Sequence, residues 1–251
     1  MRHRLRLGLV LLVLSVCPSS TRAEAPACKS ALHEGAKYIV CEVDLRRHSV
    51  RLFWRKPDGQ PYGYLSSLPR SLDRHSGRLL FATNAGMYDL DERPVGLYVE
   101  SGRELVRVNT RAGPGNFHMR PNGVLFMAQG FAGVMETRAF LRQKPQADFA
   151  TQSGPMLVID GRLHPRFARH GGSLKYRSGV GSRDPDTLIF AISEQEVSFG
   201  AFARLFRDEL RCPNALFLDG GSATSFFAPE MGRSSNLLPL GPMIGVYGRA
   251  D

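Results

Sequence analysis

The chain has 251 residues and a formal net charge of +10, with 33 Lys and Arg against 23 Asp and Glu. That length fits one sizeable domain or at most two small ones. The arginines are spread along the sequence with no basic stripe of interleaved aromatics, which argues against a nucleic-acid partner and leaves anionic substrates or envelope polymers.

In chain order, residues 1–23 come first. They have a basic start at Arg2, Arg4 and Arg6, an apolar run from Leu7 to Val16, and a small-x-small end at Thr21-Arg22-Ala23. This pattern reads as a secretory signal peptide, too short for a transmembrane span. A lipoprotein signal ending at Cys17 is disfavoured by Val16, which stands where a small residue is wanted. Residues 24–251 form the expected domain. Four of the ten net charges leave with Arg2, Arg4, Arg6 and Arg22, so six remain. The expected address is periplasmic or secreted, with no stable membrane span after cleavage and no heptad or interface stripe that would fix an oligomeric state. In an oxidising compartment Cys28 and Cys41 are expected to close a small loop and leave Cys212 over. Cys28–Cys212 and Cys41–Cys212 stand as competing pairings.

"KYIVCEVDL" (37–45) and "HSVRLFW" (48–54) predict a hairpin, being rich in β-branched and aromatic residues. "YLSSLPRSLDRH" predicts a short helix interrupted at Pro69, and "RLLFATN" (78–84) a strand. "VGLYVESGRELVRVN" predicts a second hairpin turning at Ser101-Gly102. Residues 111–121 form a Gly/Pro-rich loop, followed by strands at "NGVLFMA" and "GVMET". "ATQSGPMLVIDGRLHP" predicts strands with a kink at Gly154-Pro155 and a turn at Asp160-Gly161. Residues 169–186 read as a second Gly-rich polar loop, in which "DPDT" (184–187) is a turn before the strand "TLIFAIS". "SFGAFARLFRDELR" (198–211) predicts a helix, with Phe202, Leu205, Phe206 and Leu210 on one face and Ser198 as N-cap. The strands "ALFLD" and "PMIGVYG" follow. About ten strands, one or two helices and no βα alternation give an α+β class: mixed, mostly antiparallel, curved sheets with a packed helix.

No G-x-S-x-G, P-loop or H-E-x-x-H is present, and no cysteine pair has zinc spacing. His118, His164 and His170 are loop residues without ligand spacing. Five chain segments instead end in a polar residue beside glycine: Asn84-Ala85-Gly86, Asn122-Gly123, Gln152-Ser153-Gly154, Arg177-Ser178-Gly179 and Asp219-Gly220-Gly221-Ser222. Each alone reads as a turn. Gln-Ser-Gly-Pro and Arg-Ser-Gly-Val-Gly fit hairpin chemistry poorly, and glycine lets a ligand approach the backbone. Together the five predict a pocket for a polar, anionic ligand.

The ordered set "NAGMYD", "PVGLYVESG", "NFHMRPNGV", "ATQSGPMLVIDG", "RSGVG" and "CPNALFLDGGSATSFFAP" resembles the phosphodiester glycosidase family, over roughly residues 37–248. The resemblance implies hydrolysis of a sugar-1-phosphodiester at the C1–O bond, giving free sugar and a phosphomonoester. A phosphate ester leaves readily, so charge neutralisation matters more than a strong general acid. The resemblance assigns catalysis to Asp219 as base, nucleophile or charge stabiliser, and to Arg177 and Asn84. Gly86, Asp89, Asn122, Gly123, Gln152, Ser153, Gly154, Gly179, Gly220, Gly221 and Ser222 would line the substrate. No cofactor or metal is required, although a divalent cation at Asp219 with a phosphate is compatible with the residues. The expected partner is a sugar-phosphate or envelope glycan substrate. The competing readings are a carbohydrate- or phosphate-binding envelope protein without catalysis, and a structural envelope protein in which the glycines are only turns.

Overall fold

Short apolar stretches punctuated by Gly, Pro and Asp make this a strand-built chain. A computed structural model describes residues 28–72, 76–167, 171–235 and 238–249. The expected signal peptide and His170 lie outside the described residues. In chain order the elements are β1 (Cys28–His33), β2 (Ala36–Asp44), β3 (His48–Phe53), β4 (Ser76–Asn84), β5 (Tyr98–Glu100), β6 (Arg103–Val106), β7 (Gly123–Ala128) and β8 (Phe131–Glu136). Then come α1 (Thr137–Gln143), β9 (Phe149–Ser153), β10 (Met156–Ile159), β11 (Arg162–Leu163), β12 (Arg177–Asp184), β13 (Thr187–Ser193) and α2 (Phe199–Arg204). The chain closes with β14 (Asn214–Gly220), β15 (Phe226–Ala228), β16 (Arg233–Ser235) and β17 (Met243–Arg249).

These strands form three antiparallel sheets, ordered β1-β2-β13-β12-β14-β10-β11, β16-β15-β4-β17-β3 and β6-β5-β9-β7-β8. All three face one central core, which includes Ile39, Leu52, Phe81, Tyr98, Leu125, Phe190, Leu218 and Val246. The outer face of the first sheet is covered by α2 through Phe202 and by the π turn that continues it through Phe206, and that of the third by α1 through Phe140. The α+β class therefore holds. It also explains the unbroken apolar run of β14. Ala215 and Phe217 pack toward α2, while Leu216 and Leu218 pack into the central core. A strand buried on both faces has no polar side to alternate.

Several local expectations hold. Ser198 caps α2, its side chain accepting from the Ala201 N–H, and the helix continues into a π turn over Leu205–Glu209. Ser101 and Gly102 turn the β5–β6 hairpin. "DPDT" is a turn, with the Asp184 carboxylate accepting from the Asp186 N–H at 2.9 Å. The disulfide joins Cys28 to Cys41, directly opposed on β1 and β2, and Cys212 is a free, buried thiol.

Three expectations are corrected. Residues 37–54 are not a hairpin: β2 pairs with β1 and β13, whereas β3 pairs with β17 in another sheet. The turn at Arg46-Arg47 carries the chain between sheets, which apolar patterning cannot reveal. Residues 177–184, read as part of a polar loop, form the central strand β12. Its small residues fit because α2 lies against them; a Cβ on Gly179 would come within 2.9 Å of the Phe202 ring. Finally, the described residues hold seventeen strands where about ten are expected, because several are only two to four residues long.

Candidate active site

β12 and β14 run side by side, and their register sets the chemistry. Gly179 pairs with Phe217, but Ser178 pairs with Asp219, so Leu218 is an extra residue in a bulge. Such a bulge re-aims the side chains that follow it. Strict alternation would send Asp219 to the α2 face with Phe217; the bulge aligns it with Ser178 instead. The carbonyl of Leu218 accepts from Ser153 Oγ at 2.5 Å. Ser178 Oγ donates to the Asp219 carbonyl at 3.1 Å. Two hydroxyls on neighbouring strands thus fix the backbone that presents Asp219.

The Asp219 carboxyl is deeply set, although the residue keeps part of its surface open. Burial pushes its pKa up to about 6, opposed only by the hydrogen bond it accepts from the Gly220 N–H at 2.7 Å. Among the described residues no cation offsets this burial. The Tyr88 phenol is close enough to feel the Asp219 charge, which adds to the burial that raises its own pKa to about 12.

Asn84 ends β4, fully buried. Its Oδ1 accepts from the Ser225 N–H at 3.2 Å, while the single Thr83 hydroxyl hydrogen goes to the Ser225 carbonyl at 2.9 Å, with Asn84 Oδ1 3.3 Å from the same Oγ1. Asn84 therefore grips the segment that follows Asp219-Gly220-Gly221-Ser222. On that segment the hydroxyls of Thr224 and Ser225 are buried without a hydrogen-bond partner. An orphaned buried hydroxyl costs about 1–3 kcal/mol, so two in succession require an explanation. Sequence reasoning stopped at Ser222 and missed both, as it missed Tyr88. Their signal was the polar "ATS" directly before the apolar β15.

Arg177 is placed differently from Asp219. It pairs with Gly220, one residue out of step, so its side chain leaves β12 on the opposite face. Its guanidinium is buried, lies 3.5 Å from the Phe199 ring centroid, and donates to the carbonyls of Val197 and Ser173 at 2.8 Å each. Burial lowers its pKa to about 10, and no carboxylate pairs with it among the described residues.

The remaining expected residues divide by what they touch. Gln152 makes four hydrogen bonds: Oε1 accepts from the N–H groups of Leu97 (3.0 Å) and Asn109 (2.9 Å), and Nε2 donates to the Asn109 carbonyl (2.8 Å) and Thr137 Oγ1 (3.3 Å). Asn122 donates to the Phe117 carbonyl at 2.9 Å and accepts from Thr137 Oγ1 at 2.8 Å. Both are braces for the 109–121 loop. Gly86 sits on the Gln152 backbone, where a Cβ would lie 2.4 Å from the carbonyl oxygen. Gly123, Gly154 and Gly220 abut Met156, Asn122 and Phe217 in the same way. Gly221 takes a positive φ of 64° beside open space, and Ser222 is exposed. Asp89 is exposed and caps a turn, accepting from the N–H groups of Asp91 and Arg93. Among the described residues no three His, Cys, Asp or Glu gather as a metal cluster.

The phosphodiester glycosidase family model matches residues 77–247, from β4 to β17. The chain belongs to the phosphodiester glycosidase family. It is 35% identical over 178 residues to an uncharacterised protein of Escherichia coli K12, YigE, covering 71% of this chain and 69% of that one. Among solved structures it resembles the zebrafish N-acetylglucosamine-1-phosphodiester α-N-acetylglucosaminidase catalytic domain, described as auto-inhibited by its pro-peptide. That match has a TM-score of 0.58 at 16% identity and covers 88% of this chain and 82% of that one. A hypothetical protein from Synechocystis matches with a TM-score of 0.51 at 15% identity, over 88% of this chain and 61% of that one. At those identities the structural matches carry the fold.

Proposed function

We propose that the protein is an exported hydrolase that cleaves the C1–O bond of a sugar-1-phosphodiester, releasing free sugar and a phosphomonoester. The observation that carries this reading is Asp219. It is a deep carboxyl whose burial no cation among the described residues offsets, aimed by a bulge in β14, and the segment that follows it in the chain carries two unpartnered hydroxyls. Membership of the family supports the class of reaction. The zebrafish protein of similar fold is named for such an activity.

The chemistry follows from the leaving group. A phosphomonoester dianion departs without strong protonation, so one carboxylate suffices where most glycosidases need two. Ionised above about pH 6, Asp219 stabilises positive charge at C1 as the C1–O bond breaks, or takes a proton from water that attacks C1. Thr224 and Ser225 donate to sugar hydroxyls or phosphate oxygens, and Asn84 fixes their backbone. Arg177, as a buried guanidinium with no carboxylate partner, holds the loop around Ser173 and adds positive potential behind the site. The Cys28–Cys41 disulfide supports export, since such bonds persist in oxidising compartments.

The test is incubation with an activated N-acetylglucosamine-1-phosphodiester and identification of both products by mass spectrometry. Free sugar and phosphomonoester, abolished in Asp219→Asn, are expected. Binding of the diester with no product over long incubation would replace this reading with a non-catalytic binding protein.

A further inference from the structure

A phosphodiester carries one negative charge and the phosphomonoester that departs from it carries two. The second charge develops on the oxygen that leaves C1. A donor aimed at that oxygen holds the transition state more tightly than the substrate. Arg177 is not that donor, because its guanidinium lies on the face of β12 opposite to Asp219, stacked on Phe199.

The segment that follows β4 brings a different group to Asp219. Asn84 holds the Ser225 N–H, the Ala85 N–H donates to the Pro242 carbonyl at 2.9 Å, and the Gly86 N–H donates to Thr151 Oγ1 at 3.2 Å. Gly86 rests on the Gln152 backbone, next to the Ser153 whose hydroxyl holds the Leu218 carbonyl. These contacts lay residues 84–86 across the ends of β9 and β14. Met87 then turns to the α2-side cluster that contains Phe217. Tyr88 turns the other way, to the cluster that contains Leu65, Leu240 and Tyr247. That places its phenol where it feels the charge of the Asp219 carboxylate.

The Tyr88 ring is clamped at its root: a Cβ on Gly241 would lie 2.7 Å from both Tyr88 Cβ and Cγ. The hydroxyl is less committed. It donates to the Pro239 carbonyl at 3.3 Å, well beyond the about 2.8 Å usual for such bonds, and the residue is only half-buried. Packing alone is served as well by Phe, so the loosely held hydroxyl is the feature to explain. It also keeps its hydrogen, because burial and the Asp219 charge push its pKa up to about 12. A neutral donor suits this place, since an ammonium or guanidinium there would pair with Asp219 in the substrate-free protein.

We propose that Tyr88 is a second catalytic group, its phenolic hydroxyl donating a hydrogen bond to the phosphate oxygen that leaves C1. This rests on the reading of Asp219 as the carboxylate that faces C1. As the C1–O bond breaks, its electron pair goes to the phosphate oxygen. The oxygen of water bonds to C1, and one proton of that water passes to Asp219 or directly to solvent. Tyr88 keeps its own hydrogen throughout, so it stabilises the leaving group without protonating it.

Tyr88→Phe retains the ring and removes the hydroxyl, so its thermal midpoint should stay within about 2 °C of the wild type. The test compares the two proteins on the methyl and the 4-nitrophenyl phosphodiesters of N-acetylglucosamine 1-phosphate. On the methyl ester kcat/KM is expected to fall about thirtyfold, mainly through kcat, and on the nitrophenyl ester, whose leaving group needs less help, by about tenfold or less. Equal losses on the two esters, or a loss in KM alone, would overturn the proposal. So would a midpoint lowered by more than about 5 °C, which would make the hydroxyl a brace. The rise of kcat/KM through about pH 6 should stay in place; a move upward by about half a unit would show that the phenol acts on the Asp219 carboxylate and not on the phosphate. If the wild type turns over neither ester, the Asp219 reading fails by itself. Calorimetry with methyl phosphate then decides on Tyr88: binding weakened about fivefold or more in Tyr88→Phe keeps the phenol on the phosphate, and equal binding sinks it.

Discussion

Gln152 and Ser225 are both buried polar residues at strand ends, yet they sit in opposite states. Gln152 makes four hydrogen bonds and has no capacity left for a ligand. Ser225 is held on both sides of its backbone, by Asn84 and Thr83, while its own hydroxyl has no partner. The first arrangement builds a wall, and the second leaves a donor waiting. In sequence the two look alike, a polar residue near a glycine. Only the account of each donor and acceptor separates scaffold from site.

That comparison can be broken most forcefully at Asp219. Asp219→Asn is expected to lower kcat/KM about a thousandfold or more, roughly 4 kcal/mol of transition-state stabilisation. The same variant should be more stable than the wild type. The carboxyl's folded-state pKa of about 6 lies above its ordinary value of 3.8, so ionisation penalises the folded state. The penalty is absent below about pH 4, grows as pH rises to 6, and then levels at up to about 3 kcal/mol. Urea unfolding of both proteins at pH 4 and pH 7.5 would measure it. An Asn variant less stable at both would show that Asp219 is a brace like Gln152.

Gln152→Ala should behave in the reverse sense. It strands the N–H groups of Leu97 and Asn109 and removes buried volume, for about 3 kcal/mol of lost stability by thermal or urea unfolding. Any activity loss should track the unfolded fraction. Ser225→Ala sharpens the contrast on the other side. Removing an unpartnered buried hydroxyl should raise stability, by up to about 1–3 kcal/mol, while reducing kcat/KM about tenfold. An unfolding midpoint that drops by a full kcal/mol equivalent would place Ser225 with the scaffold. The smallest effect is the pH profile: kcat/KM should rise through about pH 6 and then level, because Asp219 acts ionised. A fall through pH 6 would mean that it acts protonated.

Much of this was legible in the residues. The α+β class, the Ser198 cap, the Cys28–Cys41 pairing and the role of "DPDT" as a turn followed from local chemistry. The hairpin expected over residues 37–54 did not survive, because strand pairing between distant segments leaves no mark in local alternation. "RSGVG" reads as a loop because glycine usually breaks strands, whereas here it makes room for the aromatic face of α2. For the site, sequence brought forward Asp219 and Asn84, which the fold connects through the Thr224–Ser225 segment. It also grouped Arg177 with Asp219, and a one-residue difference in register sends that guanidinium to the other face. A bulge of one residue cannot be read from composition, and it decides which way the carboxylate points.

The central claim is that water attacks carbon and not phosphorus. Hydrolysis of an activated sugar-1-phosphodiester in ¹⁸O-labelled water, followed by mass spectrometry of both products, tests it directly. The account predicts the label in the C1 hydroxyl of the released sugar and none in the phosphomonoester. Label in the phosphomonoester would mean P–O cleavage and would contradict it.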